Sequence, residues 1–189
     1  MPTFFIDTSV FISTIKTDNA TEACERFIRR VRNGFFDGYI SSYIAGEMIH
    51  SILYSDEIRQ DRRLGYLYDV LDAIISSNAE WFVPQNNDFC VFSKLRSVDN
   101  RVEDGDILHA TCAKILNIPL VTIDGKLLRS QGLKDQGVEI LHPVDVVERM
   151  WRKARHRKLI IFSRTATMIF KLSLQTPGIT AIVYLICLT

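Results

Sequence analysis

The stretch FFIDTSVFI, residues 4–12, places one aspartate, Asp7, inside a run of aromatic and β-branched residues. An uncompensated carboxylate in an apolar environment costs several kcal/mol, so Asp7 requires a partner charge, a set of hydrogen-bond donors or a metal ion. Asp124 likewise follows an apolar run, PLVTI, and Glu47 and Asp106 lie near the starts of segments with helical periodicity. These four acidic residues are the candidates for a chemical role.

Four carboxylates that meet in one place raise each other's pKa, and a hard divalent cation removes that penalty. Ligation by oxygen atoms alone favours Mg²⁺ or Mn²⁺ over zinc. The four cysteines, at positions 24, 90, 112 and 187, form no C-x-x-C pair and no closely spaced set with the histidines, which argues against a zinc site or a disulfide scaffold. Because a divalent cation activates water and stabilises the leaving oxygen, the acids predict metal-dependent phosphodiester hydrolysis.

The segments that position these acids alternate between two kinds of pattern. Short apolar runs predict strands at 3–6, 38–41, 80–84, 119–123 and 137–141. Longer segments with apolar residues three or four apart predict helices at about 9–16, 21–33, 41–54, 62–77 and 105–116, a short helix after residue 124, and a final helix from 143 to about 152. This alternation predicts an α/β fold with an open, mainly parallel sheet and helices on both faces.

The carboxyl ends of parallel strands share one edge of a sheet, and binding sites form in the crevice there. Asp7 and Asp124 end two of the predicted strands, while Glu47 and Asp106 fall in the first turns of helices that begin at the same edge. We therefore expect the four side chains to form one cluster. Asp104, two residues before Asp106, offers an alternative ligand, or it caps the helix, because aspartate is favoured at N-cap positions.

Three motifs, in this order along the chain, resemble those of PIN-domain ribonucleases, the fold of the VapC-type toxins: FIDTSVFI, IAGEMIHSI and DILHATCAKILNIPLVTIDGKL. The resemblance covers about residues 3–148. It implies an endonuclease that cuts RNA with Mg²⁺ or Mn²⁺, with acids at the matching positions Asp7, Glu47, Asp106 and Asp124. It also favours Asp106 over Asp104 as the third acid. Ser9 and Thr122 would support the acids by hydrogen bonding.

The resemblance also bears on the partners of the chain. Toxins of this family are commonly homodimers silenced by a cognate antitoxin, so it implies an RNA substrate, an antitoxin protein and a homodimer. The alternative is a catalytically inactive PIN-like module that binds RNA or a protein and uses its acids for capping and salt links. His109 is interpreted as a partly buried, hydrogen-bonded histidine outside the site, and the surface arginines and lysines show no clear RNA path.

Charge divides the chain at about residue 150. All 22 acidic residues and 16 of the 23 basic ones lie in residues 1–150, whereas 151–189 hold seven basic residues and no acid. We expect a nuclease domain at 1–150 and a basic, then apolar extension of unknown role at 151–189. The extension could contact RNA or a membrane, anchor the chain through 172–189, bind a partner, or be poorly adapted to the fold. Without a secretory signal, the body is expected in the cytoplasm.

Overall fold

Strand β1, Thr3–Ile6, lies at the centre of the sheet in this computed structural model, which describes residues 1–15, 19–56 and 58–148. The other strands are β2 (Asp37–Ser41), β3 (Glu80–Phe82), β4 (Leu120–Val121) and β5 (Ile140–Leu141). The order is β3-β2-β1-β4-β5 and every pairing is parallel. The predicted α/β fold with an open parallel sheet is confirmed.

The helices connect these strands and agree in most cases with the predicted segments. They are α1 (Thr8–Ser13), α2 (Thr21–Arg32), α3 (Ile44–Leu53), α4 (Arg63–Ser76), α5 (Phe89–Arg96), α6 (Asp104–Leu116), α7 (Gly125–Arg129) and α8 (Gln131–Asp135), with short 3-10 turns at Gln60–Arg62 and Asn86–Asp88. Residues 143–148 are also helical. The sequence patterns did not predict α5 and α8, because two turns or fewer are too short for a recognisable apolar period.

The strand order reverses beside β1. The chain runs outward from β1 to β2 and β3, and then returns to the other side of β1 to form β4 and β5. The helices that follow β1 and β4 therefore diverge to opposite sides and open a crevice at the carboxyl edge of the sheet. Phe5 pairs with Leu120 across this junction, and the backbone N–H of Asp7 donates to the carbonyl of Val121 at 3.0 Å.

Both faces of β1 are buried, which suits its three consecutive apolar residues, Phe4, Phe5 and Ile6. Phe5 packs into a cluster with Leu95, Ile107 and other residues that follow β3. Its neighbour Phe4 points to the opposite face, as alternation along a strand requires, and its ring meets those of Phe27 and Phe36 at 5.6 and 5.2 Å. The sheet is thus covered on both sides, which fixes the end of β1 firmly.

The extension beyond the sheet is outside the described residues. None of the helices in the described part of the chain has both the length and the apolarity needed to cross a membrane. The predicted domain boundary at residue 150 and the proposed roles of residues 151–189 stay predictions.

Two adjacent phenylalanines test the packing of the aromatic face. Phe36 is 2% exposed and its neighbour Phe35 is 61% exposed. Phe36→Ala should lower the free energy of unfolding by about 3–5 kcal/mol, because it removes a ring from a filled core. Phe35→Ala should change it by less than about 0.5 kcal/mol. Urea unfolding followed by circular dichroism measures both, and equal losses would contradict the described packing.

Candidate active site

A pocket of about 640 Å³ opens at the carboxyl edge of the sheet, where β1 and β4 lie side by side. Its lining contains the four acids singled out from the sequence, Asp7, Glu47, Asp106 and Asp124. Two of them follow strands and two lie in the first turns of α3 and α6. Four residues spread over more than a hundred positions are thus brought together by the reversal of strand order.

Asp7 is 3% exposed, and two hydroxyl groups compensate its carboxylate. Its Oδ2 atom accepts hydrogen bonds from Ser9 Oγ at 2.5 Å and from Thr122 Oγ1 at 2.6 Å. Ser9 comes from the first turn of α1 and Thr122 from the residue after β4. The hydrogen-bond donors that a buried aspartate requires are therefore supplied by the two residues expected to support it.

Glu47 is held by donors from two other elements. Its Oε2 atom accepts from Thr8 Oγ1 and from His109 Nε2, each at 2.5 Å. Burial would raise the pKa of Glu47, but the hydrogen bond and the charge of His109, together with the Thr8 hydroxyl, lower it overall. The other oxygen, Oε1, lies over Gly105, where a Cβ atom would stand only 2.2 Å away. Glycine at position 105 is what lets the Glu47 carboxylate reach this place.

His109 contacts two of the four acids, although sequence reasoning left it out of the site. It is fully buried, its Nε2 atom lies 3.6 Å from Asp7 Oδ1 and its Nδ1 atom lies 3.3 Å from Ser41 Oγ. Burial alone would lower the pKa of His109, but the Glu47 hydrogen bond and the charges of Asp7 and Glu47 raise it overall. His109 is hydrogen-bonded, as interpreted from the sequence, but it is fully rather than partly buried. It is not among the residues that line the pocket, but it contacts two of the acids that are.

Asp106 shows the electrostatic consequence of this crowding. Burial, then repulsion from Asp7, Asp124 and Glu47, raises its pKa to about 7, although the charge of His109 acts in the opposite direction. A carboxyl group half protonated at neutral pH is unusual, and perturbed groups of this kind concentrate at functional sites. The pocket therefore holds more negative charge than the protein alone neutralises.

Asp124 has a second, structural role. Its Oδ1 atom caps α7 by accepting from the backbone N–H groups of Lys126 and Leu127 at 2.6 and 2.8 Å. Its own N–H donates to Thr122 Oγ1 at 2.9 Å, which ties it to the hydroxyl that also supports Asp7. Asp124 also lines the pocket, so it belongs both to the cap of α7 and to the cluster of acids.

Asp104 is placed differently from Asp106, and the cap predicted for it is wrong. Helix α6 begins at Asp104, so Glu103 occupies the N-cap position, and no side-chain cap hydrogen bond forms there. The Asp104 side chain is 72% exposed and forms an ion pair with Arg96 Nε at 2.5 Å. It lies at the rim of the pocket, where a surface ion pair contributes little to stability.

The donor set fits a hard divalent cation in its chemistry, since every acid offers oxygen. Among residues 1–15, 19–56 and 58–148, however, no three His, Cys, Asp or Glu side chains already surround one point as metal ligands would. Hydroxyl groups, an imidazole and a helix N-terminus hold three of the carboxylates in their present orientations.

The family profile of the PIN domain matches residues 4–133. This chain belongs to the PIN domain family. Comparison with curated protein sequences gives no match. All four acids, at the end of β1, in α3, in α6 and after β4, fall inside the matched residues.

Solved structures show the same fold. One is VapBC2 from Rickettsia felis bound to a promoter DNA fragment, with a TM-score of 0.52, 16% identity, and coverage of 74% of this chain and 98% of the other. FitAcB from Neisseria gonorrhoeae has a TM-score of 0.55, 14% identity and coverage of 74% and 97%. VapBC-1 from nontypeable Haemophilus influenzae has a TM-score of 0.51, 14% identity and coverage of 75% and 98%. The PIN fold, but no residue role, follows from such distant similarity.

The raised pKa of Asp106 makes the stability of this PIN domain depend on pH. The folded pKa of about 7 exceeds the ordinary 3.8, so the proton-linked stability is full below pH 3.8 and is lost as pH rises to about 7. In a chelator, Asp106→Asn should stabilise the protein at neutral pH by on the order of 1 kcal/mol, after discounting for solvent screening.

Melting temperatures between pH 4 and pH 8 measure this difference. The fall in melting temperature from pH 4 to pH 8 should be smaller in Asp106→Asn than in the natural sequence. Asp104→Asn is the matched control, because it removes an exposed carboxylate two residues away and should keep the decline. Parallel curves for all three proteins would contradict the crowding of Asp106.

Proposed function

We propose that this chain is a Mg²⁺- or Mn²⁺-dependent endoribonuclease that hydrolyses RNA phosphodiester bonds, and the toxin of a toxin-antitoxin pair. The observation that carries the proposal is the single pocket lined by Asp7, Glu47, Asp106 and Asp124, in which Asp106 has a raised pKa. Such a pocket attracts a divalent cation, and PIN domains are generally nucleases. Hydrolase activity on nucleic acid is thus the general expectation from the family, and RNA as substrate is the finer proposal.

The same four residues, Asp7, Glu47, Asp106 and Asp124, would hold the cation. When bound, the cation would lower the pKa of a water molecule and stabilise charge on the leaving oxygen. The chain's own groups prepare the acids for this task. Ser9 and Thr122 hold Asp7 through Oδ2, and Thr8 and His109 hold Glu47 through Oε2, which leaves Asp7 Oδ1 and Glu47 Oε1 outside these hydrogen bonds.

Protein partners follow from the same family. The similar structures include VapBC2 bound to a promoter DNA fragment and FitAB bound to a DNA fragment. We propose by analogy that an antitoxin protein binds this chain. The homodimer and the cytoplasmic location stay predictions from the sequence.

A second candidate function is a PIN domain that binds RNA or a protein without cleaving it. The absence of a ready ligand set within the described residues favours it, as does the capping role of Asp124. The two functions differ in their response to metal. If Mn²⁺ binds at the site, mass action stabilises the folded protein by about 2.7 kcal/mol at a Mn²⁺ concentration a hundred times the dissociation constant, and the melting temperature rises. The binding module predicts no rise.

Asp7→Asn should abolish RNA cleavage while leaving the fold intact. The amide keeps an oxygen that can accept from Ser9 and Thr122, but it loses the charge that a cation requires. Cleavage of total RNA with Mn²⁺, with and without excess chelator, measures the loss. Asp69→Asn, an exposed change on α4, is the control that should keep full activity. Full cleavage by Asp7→Asn, or cleavage in chelator, would defeat the proposal.

His109 should act as a positioning residue for Glu47. His109→Ala should weaken Mn²⁺ binding by about 10- to 100-fold, the usual cost of losing a partner of a metal ligand. His109→Gln should recover part of the affinity, because its amide N–H can still donate to Glu47 Oε2. Calorimetric titration of folded protein with Mn²⁺ compares the variants. Equal affinity in the two variants would show that the imidazole serves packing alone.

A further inference from the structure

A second pocket, of about 140 Å³, is lined by three basic side chains and one acid. These residues are Asp99, Arg101, Lys126 and Arg129. Lys126 and Arg129 are three residues apart on α7, so they project from the same side of the helix. Arg101 reaches them from the loop before α6.

The one carboxylate in this pocket is already satisfied. Asp99 accepts hydrogen bonds from Arg101 Nε at 2.9 Å and Nη2 at 2.8 Å, and from Ser130 Oγ at 2.7 Å. The Arg101 hydrogen bonds, followed by that of Ser130, hold the pKa of Asp99 far below its usual value. The Asp99 side chain is only 5% exposed, whereas Arg101 is 74% exposed. Asp99 therefore orients the guanidinium and leaves its remaining donors toward solvent.

The first cation of α7, Lys126, lies two residues after Asp124, the last residue that lines the acidic pocket. The backbone N–H of Lys126 donates to Asp124 Oδ1, and its ammonium group pairs with Glu103 Oε1 at 2.6 Å. The guanidinium of Arg129 folds back over Gly125, where a Cβ atom would stand 2.9 Å from Nη1. Asp124 therefore lines the acidic pocket, while Lys126 and Arg129, two and five residues later, line the basic one.

We propose that the pocket of Arg101, Lys126 and Arg129 binds a backbone phosphate of the RNA strand, next to the phosphate that is cut in the acid pocket. The inference rests on the proposed ribonuclease function. A strand of RNA carries a charge at every nucleotide, so an acidic cleavage site must be accompanied by positive groups that hold the neighbouring phosphates. The geometry of Arg101, with its fork fixed by Asp99, suits a tetrahedral anion.

Binding of RNA, rather than its cleavage, tests the inference. The probe is a fluorescein-labelled single-stranded RNA oligonucleotide titrated with the full-length chain carrying Asp7→Asn, so the strand stays intact. Adding Arg129→Gln should weaken binding about tenfold at low salt, because a charge-assisted contact is lost. The plot of log K against log salt concentration should become shallower by about 0.7, the contribution of one phosphate contact in a single strand.

Two matched variants complete the experiment. Arg129→Lys should restore most of the salt slope, since it keeps the charge. Arg26→Gln, an exposed arginine on α2 that lines neither pocket, should bind like the parent. Binding by Arg129→Gln that equals that of Arg26→Gln would overturn the inference whether or not the enzyme cuts RNA. A salt slope reduced only by Arg129→Gln supports the phosphate site even if cleavage is never observed.

Discussion

The structure depends on one electrostatic constraint, which is the crowding of negative side chains at the carboxyl edge of the sheet. Asp7 is almost fully buried and stays tolerable because two hydroxyls donate to one of its oxygens. Glu47 is held by a hydroxyl and an imidazole. Asp106 is left without equivalent compensation, and its raised pKa records the remaining repulsion.

The parallel sheet makes this arrangement possible. The reversal of strand order at β1 and β4 opens the crevice, and the ends of these two strands deliver Asp7 and Asp124 to it. The aromatic packing on one face of β1 and the aliphatic cluster on the other hold the strand in place. Because the backbone is anchored on both sides, the acids are positioned by rigid elements, which favours precise ligand geometry once the side chains turn toward a cation.

Positively charged side chains follow Asp124 within a few residues of the chain. The N-terminus of α7 is capped by Asp124, and the same helix carries Lys126 and Arg129 toward the second pocket. An acidic pocket alone would repel a nucleic acid strand, and a basic pocket alone would bind it without cutting. Their adjacency on a PIN domain is consistent with a protein that holds one phosphate while acting on its neighbour.

The sequence by itself determined the fold class and the four acids, because apolar strands that end in aspartate and amphipathic helices that begin with acids leave a local pattern. The resemblance to PIN domains also implied that Ser9 and Thr122 support the acids, and both hydroxyls donate to Asp7. His109 could not be assigned, because nothing local distinguishes a core histidine from one that bonds to an acid 62 residues away. The sequence also did not predict that Gly105 makes room for the Glu47 carboxylate, or that Arg101 lines a pocket with Lys126 and Arg129. Only the tertiary structure decided them, because they depend on which atoms approach across elements rather than on any period along the chain.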